Sequence, residues 1–272
     1  MRRPCRPIAQ EAKRRGGRAG RSAERSVARI RADQLLVARG FFDTRAAAQA
    51  AIAAGLVRAA GVRVDKPAAL IEETAALEAA PVHPWVSRGG VKLVHALDHF
   101  CVDPAGRVAL DLGASTGGFT EVLLSRGAAR VIAVDVGRGQ LHASLRADPR
   151  VSSFEGLDAR ALTREHVPQD ASLIVADVSF IGLAKALPSA LALTSPTLEL
   201  VALIKPQFES GPDQGLKRDG RGNLDEETAR SVAERAAQGL QGVGGLRFKG
   251  LIESPVMGGG GAKEWLAYAA RS

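Results

Sequence analysis

Val108-Ala-Leu-Asp111-Leu-Gly113-Ala-Ser115-Thr116-Gly117-Gly118-Phe119 reads as an apolar strand that runs into a glycine-rich turn and then a helix. Glycines let a backbone turn tightly and come close to a ligand at a strand's end. The spacing does not fit Gly-x-Gly-x-x-Gly, the dinucleotide fingerprint. Outward from this turn the chain alternates. Strands are predicted at 107–112, 130–135, 151–155, 172–177, 198–204, 246–252 and 264–270, with helices between them, clearest at 117–125, 183–193 and 225–239. The alternation predicts an α/β fold, a doubly wound and mostly parallel seven-stranded sheet. No internal repeat is visible.

Ligands of such sheets bind beyond the carboxyl ends of the strands. Asp111, two residues before Gly113, repels a pyrophosphate there and attracts a cation. S-adenosylmethionine carries a sulfonium and an amino group, which makes it the cofactor expected at Gly113, Ser115, Thr116, Gly117, Gly118 and Phe119. The alternative is a tight structural turn. Asp135 ends the next strand, 22 residues after Gly113, where an acid can accept both hydroxyls of an adenosine ribose. Asp158 follows the next strand and either meets the adenine amino group or caps a helix.

Two further strands end in reactive groups, Leu173-Ile-Val-Ala-Asp177 and Leu200-Val-Ala-Leu-Ile-Lys205. A lysine after five apolar residues is costly without a partner or a task. Asp177 and Lys205 are expected to flank the same crevice, with an ion pair that only braces the sheet as the other reading. The turn after the fourth strand is Asp177-Val-Ser-Phe180, not the Asn/Asp-Pro-Pro-aromatic turn usual in methylation of exocyclic amines. Attack on pyrimidine carbon-5 needs a nucleophilic cysteine, and neither Cys5 nor Cys101 is well placed. A hydroxyl acceptor remains.

The charge is unevenly placed. Residues 1–29 hold ten Lys/Arg against two acids, whereas the rest holds 27 of each sign. This arm, with Gly16, Gly17 and Gly20, is expected to be disordered and either to bind phosphates or to be a solvated tail. Aromatics are only 4%, so stacking of bases on exposed rings is not expected. Two cysteines are too few for a disulfide framework, and no apolar run nears the ~18 residues of a membrane span. A cytoplasmic protein is expected. His95 and His99 are four apart but lack a third ligand, so no metal is expected. Asp225-Glu226-Glu227 reads as the electrostatics of a helix start. Lys217, Arg218 and Arg221 in a Gly-rich loop either touch RNA or are solvated. Oligomeric state is not readable.

From Ile30, Asp33 is expected to cap a helix carrying Leu35, Leu36 and Val37 that ends at Gly40. Thr44 is expected to cap a second helix, ending at Gly55. Short strands follow at Leu56–Arg58, Val62–Val64 and near Ala75–Leu77. These make a small domain over 30–78, joined by the Pro-containing linker 79–84 to a larger domain at 85–272.

The stretches Arg31-Ala-Asp-Gln-Leu-Leu-Val-Ala-Arg-Gly, Trp85-Val-Ser-Arg-Gly-Gly-Val-Lys92-Leu, Asp111-Leu-Gly-Ala-Ser-Thr-Gly-Gly-Phe-Thr-Glu, Asp135-Val-Gly-Arg-Gly-Gln-Leu, Ala176-Asp177-Val-Ser-Phe-Ile, Lys205-Pro-Gln-Phe-Glu and Glu264-Trp-Leu together resemble the TlyA family. That family carries the names haemolysin A and rRNA cytidine-2'-O-methyltransferase. The likeness spans residues 31 to about 267. It implies an αL-type RNA-binding domain, small and α+β, ahead of an FtsJ-type, Rossmann-like methyltransferase domain. It also implies 2'-O-methylation of rRNA ribose, with rRNA or ribosomal subunits as partners and RNA contacts at Arg31, Gln34, Arg39, Arg45 and Arg88. The family's Lys-Asp-Lys-Glu tetrad falls on Lys92, Asp177, Lys205 and Glu264. The family often has Asn where this chain has Asp158. Lys205 is then the expected base toward the ribose hydroxyl, with Lys92 as the neighbouring cation, Asp177 orienting Lys205 and Glu264 fixing Lys92. The rival readings are a non-catalytic RNA-binding protein and a membrane-active haemolysin.

Overall fold

The computed structural model describes residues 28–209, 216 and 218–271. The basic arm up to residue 27 and Lys217 lie outside the described residues. Contacts divide the chain into Met1–Val82 and His83–Ser272.

In the first unit, β1 (Arg29–Arg31) leads into α1 (Ala32–Ala38) and α2 (Arg45–Ala53). The short strands β2 (Val57–Ala59), β3 (Val62–Arg63), β4 (Leu70–Glu72) and β5 (Leu77–Ala79) follow. Thr44 caps α2, its hydroxyl accepting the Ala47 N–H at 3.2 Å. Gly55, at φ +73°, closes α2 in the left-handed region that favours glycine. Leu36, Ile52 and Val57 are fully buried, each contributing roughly 1.5–3 kcal/mol of transfer free energy.

Asp33 does not cap α1. It lies inside the helix at 0% exposure, and its carboxylate accepts from Arg31 (3.0 Å), Arg45 (2.9 Å) and Gln49 (2.8 Å). The Arg31 guanidinium, helped by Arg45 and Gln49, holds that carboxyl well below the usual range. β1 and β4 pair antiparallel, as do β2 with β3 and β2 with β5. β5 reaches Ala79 and the Ala80 N–H donates to the Leu56 carbonyl (3.1 Å), so ladder bonds extend into the segment expected as linker.

The second unit holds, in order, α3 (Gly89–Phe100), β6 (Val108–Leu112), α4 (Gly118–Ser125), β7 (Arg130–Asp135), α5 (Ala143–Arg146), β8 (Val151–Glu155) and β9 (Ala171–Ala176). Then come α6 (Leu183–Leu191), β10 (Thr194–Ile204), α7 (Pro206–Glu209), α8 (Glu226–Gln238), β11 (Arg247–Glu253) and β12 (Trp265–Arg271). The seven strands form one sheet in the order β11-β12-β10-β9-β6-β7-β8. Strands β10 to β8 in that order are parallel, and β12 runs antiparallel to both its neighbours. Alternate residues of the buried strands feed two cores. One packs Leu110, Leu112 and Ile174 with α6 and α8; the other packs Ala109, Leu173 and Val175 with α3 and α4. Helices thus cover both faces, as a parallel sheet requires.

The strand order reverses between β6 and β9, which opens a crevice at their carboxyl ends. The antiparallel β12 starts at that same end: Trp265 pairs with Ile204, so Glu264 and Lys205 flank one register position. No described helix is long and apolar enough to cross a membrane.

Candidate active site

Leu112 pairs with Ala176, so Gly113 and Asp177 leave the sheet side by side. A Cβ on Gly113 (φ +83°) would stand 2.5 Å from the Asp177 carbonyl, so only glycine fits this approach. Gly117, at φ +97°, sits against Leu141 and Leu145, and a Cβ on Gly118 would strike the Ser87 hydroxyl. Ser115 also takes a left-handed backbone, at φ +47°, a conformation that costs a non-glycine residue energy and marks a constrained turn. Phe119 is buried in the core under the turn, whereas Ser115 and Thr116 are exposed.

Two cavities open on this turn. One of about 530 Å³ is lined by Gly113, Ser115, Asp135, Asp158, Asp177 and Lys205, among others. Asp135 accepts the Ser115 N–H (2.8 Å) and the Gly137 N–H (2.6 Å), which fixes its carboxylate at the wall. Of the two readings the sequence left open for Asp158, the cap is observed. It caps the turn Ala159–Ala161 and lines the cavity, and its pairing with Arg160 (2.6 Å) holds its carboxyl down at about 2.

The second cavity, about 250 Å³, brings Lys92, Asp177, Lys205 and Glu264 around one space beside Gly113 and Gly118. Lys92, from the first turn of α3, contacts the Glu264 carboxylate, and both are buried. A Cβ on Gly258 would overlap that carboxylate, so glycine at this position is what leaves room for Glu264. Lys205 Nζ lies 2.6 Å from Asp177 Oδ1, off the axis of a hydrogen bond, and donates to the Ser179 hydroxyl at 2.7 Å. Lys92 is therefore spent on Glu264, and Lys205 is held by Asp177 and Ser179.

Asp111 departs from its expected place. Strand alternation turns it toward α4, at 0% exposure, where Thr120 Oγ1 donates to Oδ2 at 2.6 Å and Oδ1 has no partner. It lines neither cavity. Burial pushes its carboxyl up to about 7. The direct contact with a cationic ligand expected of Asp111 gives way to a position beneath the turn.

An aromatic pair stands beside these groups. Phe180 is 89% exposed, at φ +67°, and its ring centroid lies 5.0 Å from that of Phe208. The pair stands beside Lys205, with Phe180 on the larger cavity. Sequence reasoning gave Ser179, Gly258 and this pair no role; the only signal was their closeness in the chain to Asp177, Lys205 and Glu264.

Arg31 and Arg45 are tied to Asp33, Arg39 donates to the Ala75 carbonyl, and Gln34 is exposed. Arg88 is an exposed side chain at the start of α3, and its guanidinium reaches the Met257 carbonyl at 3.3 Å. Among the described residues no cluster of three or more His, Cys, Asp or Glu could hold a metal.

The FtsJ-like methyltransferase model matches residues 85–269, and the S4 domain model matches residues 30–75. A Mycobacterium tuberculosis protein named 16S/23S rRNA (cytidine-2'-O)-methyltransferase TlyA is 46% identical over 246 residues, spanning 88% of this chain and 89% of its own length. The chain belongs to the TlyA family of FtsJ-like methyltransferases. Another TlyA-family relative, Hemolysin A of Brachyspira hyodysenteriae, is 36% identical over 88% of this chain and 99% of its own. A solved structure of a Streptococcus thermophilus protein titled as a haemolysin superposes with a TM-score of 0.68 at 37% identity, over 91% of this chain and 90% of that one. As a TlyA-family enzyme the protein uses S-adenosylmethionine. The donor set around the larger cavity fits that cofactor. Gly113 gives close backbone approach, and Asp135 and Asp158 offer acceptors for ribose hydroxyls and an amino group.

Proposed function

We propose that this protein transfers a methyl group to the ribose 2'-hydroxyl of a cytidine in ribosomal RNA, in the cytoplasm. The single observation that carries the reading is the gathering of two amines and two carboxylates around one cavity at the glycine turn. The relatives named rRNA (cytidine-2'-O)-methyltransferase support the choice of substrate. In this reading Asp135 and Asp158 hold the nucleoside end of the cofactor. Bound S-adenosylmethionine supplies an electrophilic methyl group on a sulfonium. Lys205 is the base that takes the proton of the ribose hydroxyl, while Asp177 and Ser179 aim its Nζ at the shared cavity. The Lys92–Glu264 pair fixes the opposite wall. Positioning of the two reactants supplies much of the acceleration. The exposed Phe180 ring offers a face on which the target base can stack.

The domain over 30–78 carries RNA recognition, with Gln34 and Arg39 at its surface, and 85–272 carries the chemistry. Arg31 and Arg45 present a rigid edge because Asp33 holds them. The test is nuclease mapping with mass spectrometry of rRNA from cells with and without the protein. A methylated ribose that disappears with the protein is the expected outcome. An identical set of modified riboses in both would exclude the assignment.

A further inference from the structure

Strands β9 and β10 lie side by side, with Ala176 paired to Ala202, so the segments that follow them leave the sheet as neighbours. The first carries Asp177 and Ser179 and runs into α6. The second carries Lys205 and runs into α7. Lys205 and its two acceptors therefore hang on separate loops, and their alignment depends on what ties those loops together.

The first loop needs outside support. Phe180 sits in the left-handed region at φ +67°, which costs a bulky residue energy and persists only where the surroundings enforce it. α6 then starts behind Gly182, an N-cap position with no side chain to satisfy the first N–H groups of the helix. The acceptor comes from the second loop. Glu209 Oε1 accepts the Leu183 N–H at 3.0 Å, and Oε2 lies over Gly182, 2.9 Å from where a Cβ would stand. This sets a carboxylate against the positive end of α6. Burial pushes the Glu209 carboxyl up, and the Leu183 N–H pulls against that shift. Beside it, the Phe208 N–H donates to the Lys205 carbonyl (2.8 Å), and the Phe208 ring stands against Phe180. Glu209 lines neither the 530 Å³ nor the 250 Å³ cavity, so it acts through its neighbours.

We propose that Glu209 is a positioning residue that buckles the loop after β10 to the loop after β9, and so keeps Asp177 and Ser179 in register with Lys205. A side-chain cap within α6 would serve the helix but leave the two loops free of each other. Gly182 withholds that local cap and hands the task to the neighbouring loop. Slack in the tie moves Lys205 Nζ relative to Asp177 (2.6 Å) and Ser179 (2.7 Å). A misplacement of about 1 Å can cost a reaction on the order of a hundredfold. This inference rests on the reading of Lys205 as the base and adds what aligns it.

The test uses the full chain with rRNA from cells that lack the protein, comparing wild type, Glu209→Ala, Glu209→Gln, Gly182→Ser/Glu209→Ala and Lys205→Ala. Glu209→Ala is expected to lower turnover at saturating rRNA about tenfold. Its melting temperature is expected to fall by about 2–4 °C, the loss of one helix cap. The KM for rRNA and the calorimetric affinity for S-adenosylmethionine are expected to stay near wild type. Glu209→Gln keeps an amide oxygen for the Leu183 N–H and is expected to restore most of the turnover. Gly182→Ser/Glu209→Ala gives α6 its own cap in the space the carboxylate leaves, without tying the loops. In it melting is expected to recover and turnover to stay low, and it carries the decision if Glu209→Ala alone does not fold. Turnover that recovers together with melting in this double variant makes Glu209 a helix cap only and overturns the proposal. Wild-type turnover in Glu209→Ala overturns it as well, and so does a loss confined to KM. None of these three results touches the reading of Lys205 as the base. Near-normal turnover in Lys205→Ala, or wild-type protein that methylates no rRNA, overturns that reading and the proposal with it.

Discussion

Lys92 and Glu264 meet in a nearly sealed pair, their side chains 9% and 3% exposed, between α3 and the Gly258 turn. Lys205 and Asp177, across the same cavity, are 13% and 23% exposed, and Lys205 has a second acceptor in Ser179. The two pairs have the same composition and different surroundings. A sealed ion pair holds its partners firmly, because removing either one strands a charge away from water. An open pair can be parted by a substrate that brings its own hydrogen bonds. In the proposed mechanism the first pair gives shape and the second moves the proton.

The largest effect falls on the open pair. Lys205→Ala is expected to cut methyl transfer by about a thousandfold, within the range typical of a lost general base, while calorimetric affinity for S-adenosylmethionine survives. Near-normal turnover would break the contrast. The sealed pair is expected to answer in stability instead. Lys92→Met alone strands Glu264 and is expected to cost about 3–5 kcal/mol in denaturant unfolding. Lys92→Met with Glu264→Leu is expected to regain most of that stability without regaining activity. If the single change proves harmless to stability, the pair is not sealed in solution.

Ser179→Ala sharpens the comparison from the side of the open pair. It leaves Lys205 with Asp177 alone, and turnover is expected to fall about threefold to tenfold, the cost of one hydrogen bond. Shifted pH dependence of turnover, with unchanged melting, separates positioning from a loss of fold.

Asp111 supplies the smallest and most specific test, as a buried carboxyl with no amine beside it. Its folded value of about 7 lies above the ~3.9 of an unfolded chain. Between these values the folded state binds more protons than the unfolded one, so stability falls as pH rises from about 4 to about 7. Asp111→Asn is expected to flatten that slope in unfolding titrations. A slope of the opposite sign in the wild type, attributable to this residue, would show Asp111 ionised in the fold.

The strands of the parallel sheet were legible because each is a short apolar run that ends in a polar residue. β6, β7 and β8 fall within one residue of their predicted bounds. β10 starts four residues earlier than read, at Thr194, because Pro196 looks like a turn. The ladder accommodates it with a register shift between Thr194 and Glu199. The pairing of β1 with β4 was invisible, since Ile30 stands alone between Arg29 and Arg31 and each strand is only three residues long. The tetrad positions came from the family resemblance alone, and the structure brings those four side chains around one cavity. Asp33 and Asp111 were misplaced for a common reason. Their partners Arg45, Gln49 and Thr120 come from other turns or elements, and nothing local announces them. Phe180 is a single ring in a loop, and only its backbone geometry turns it outward.

β12 enters the sheet backward, and Glu264 stands at its threshold, 172 residues along the chain from Lys92. The proposed catalytic cluster therefore has no local precursor. A nascent or partly folded chain that lacks β12 holds the glycine turn and both lysines yet cannot close the ring of charges. Such long-range closure comes late and slowly in folding. Methyl transfer should thus switch on in a single step with the completed sheet, so that activity measures the fraction of fully assembled molecules.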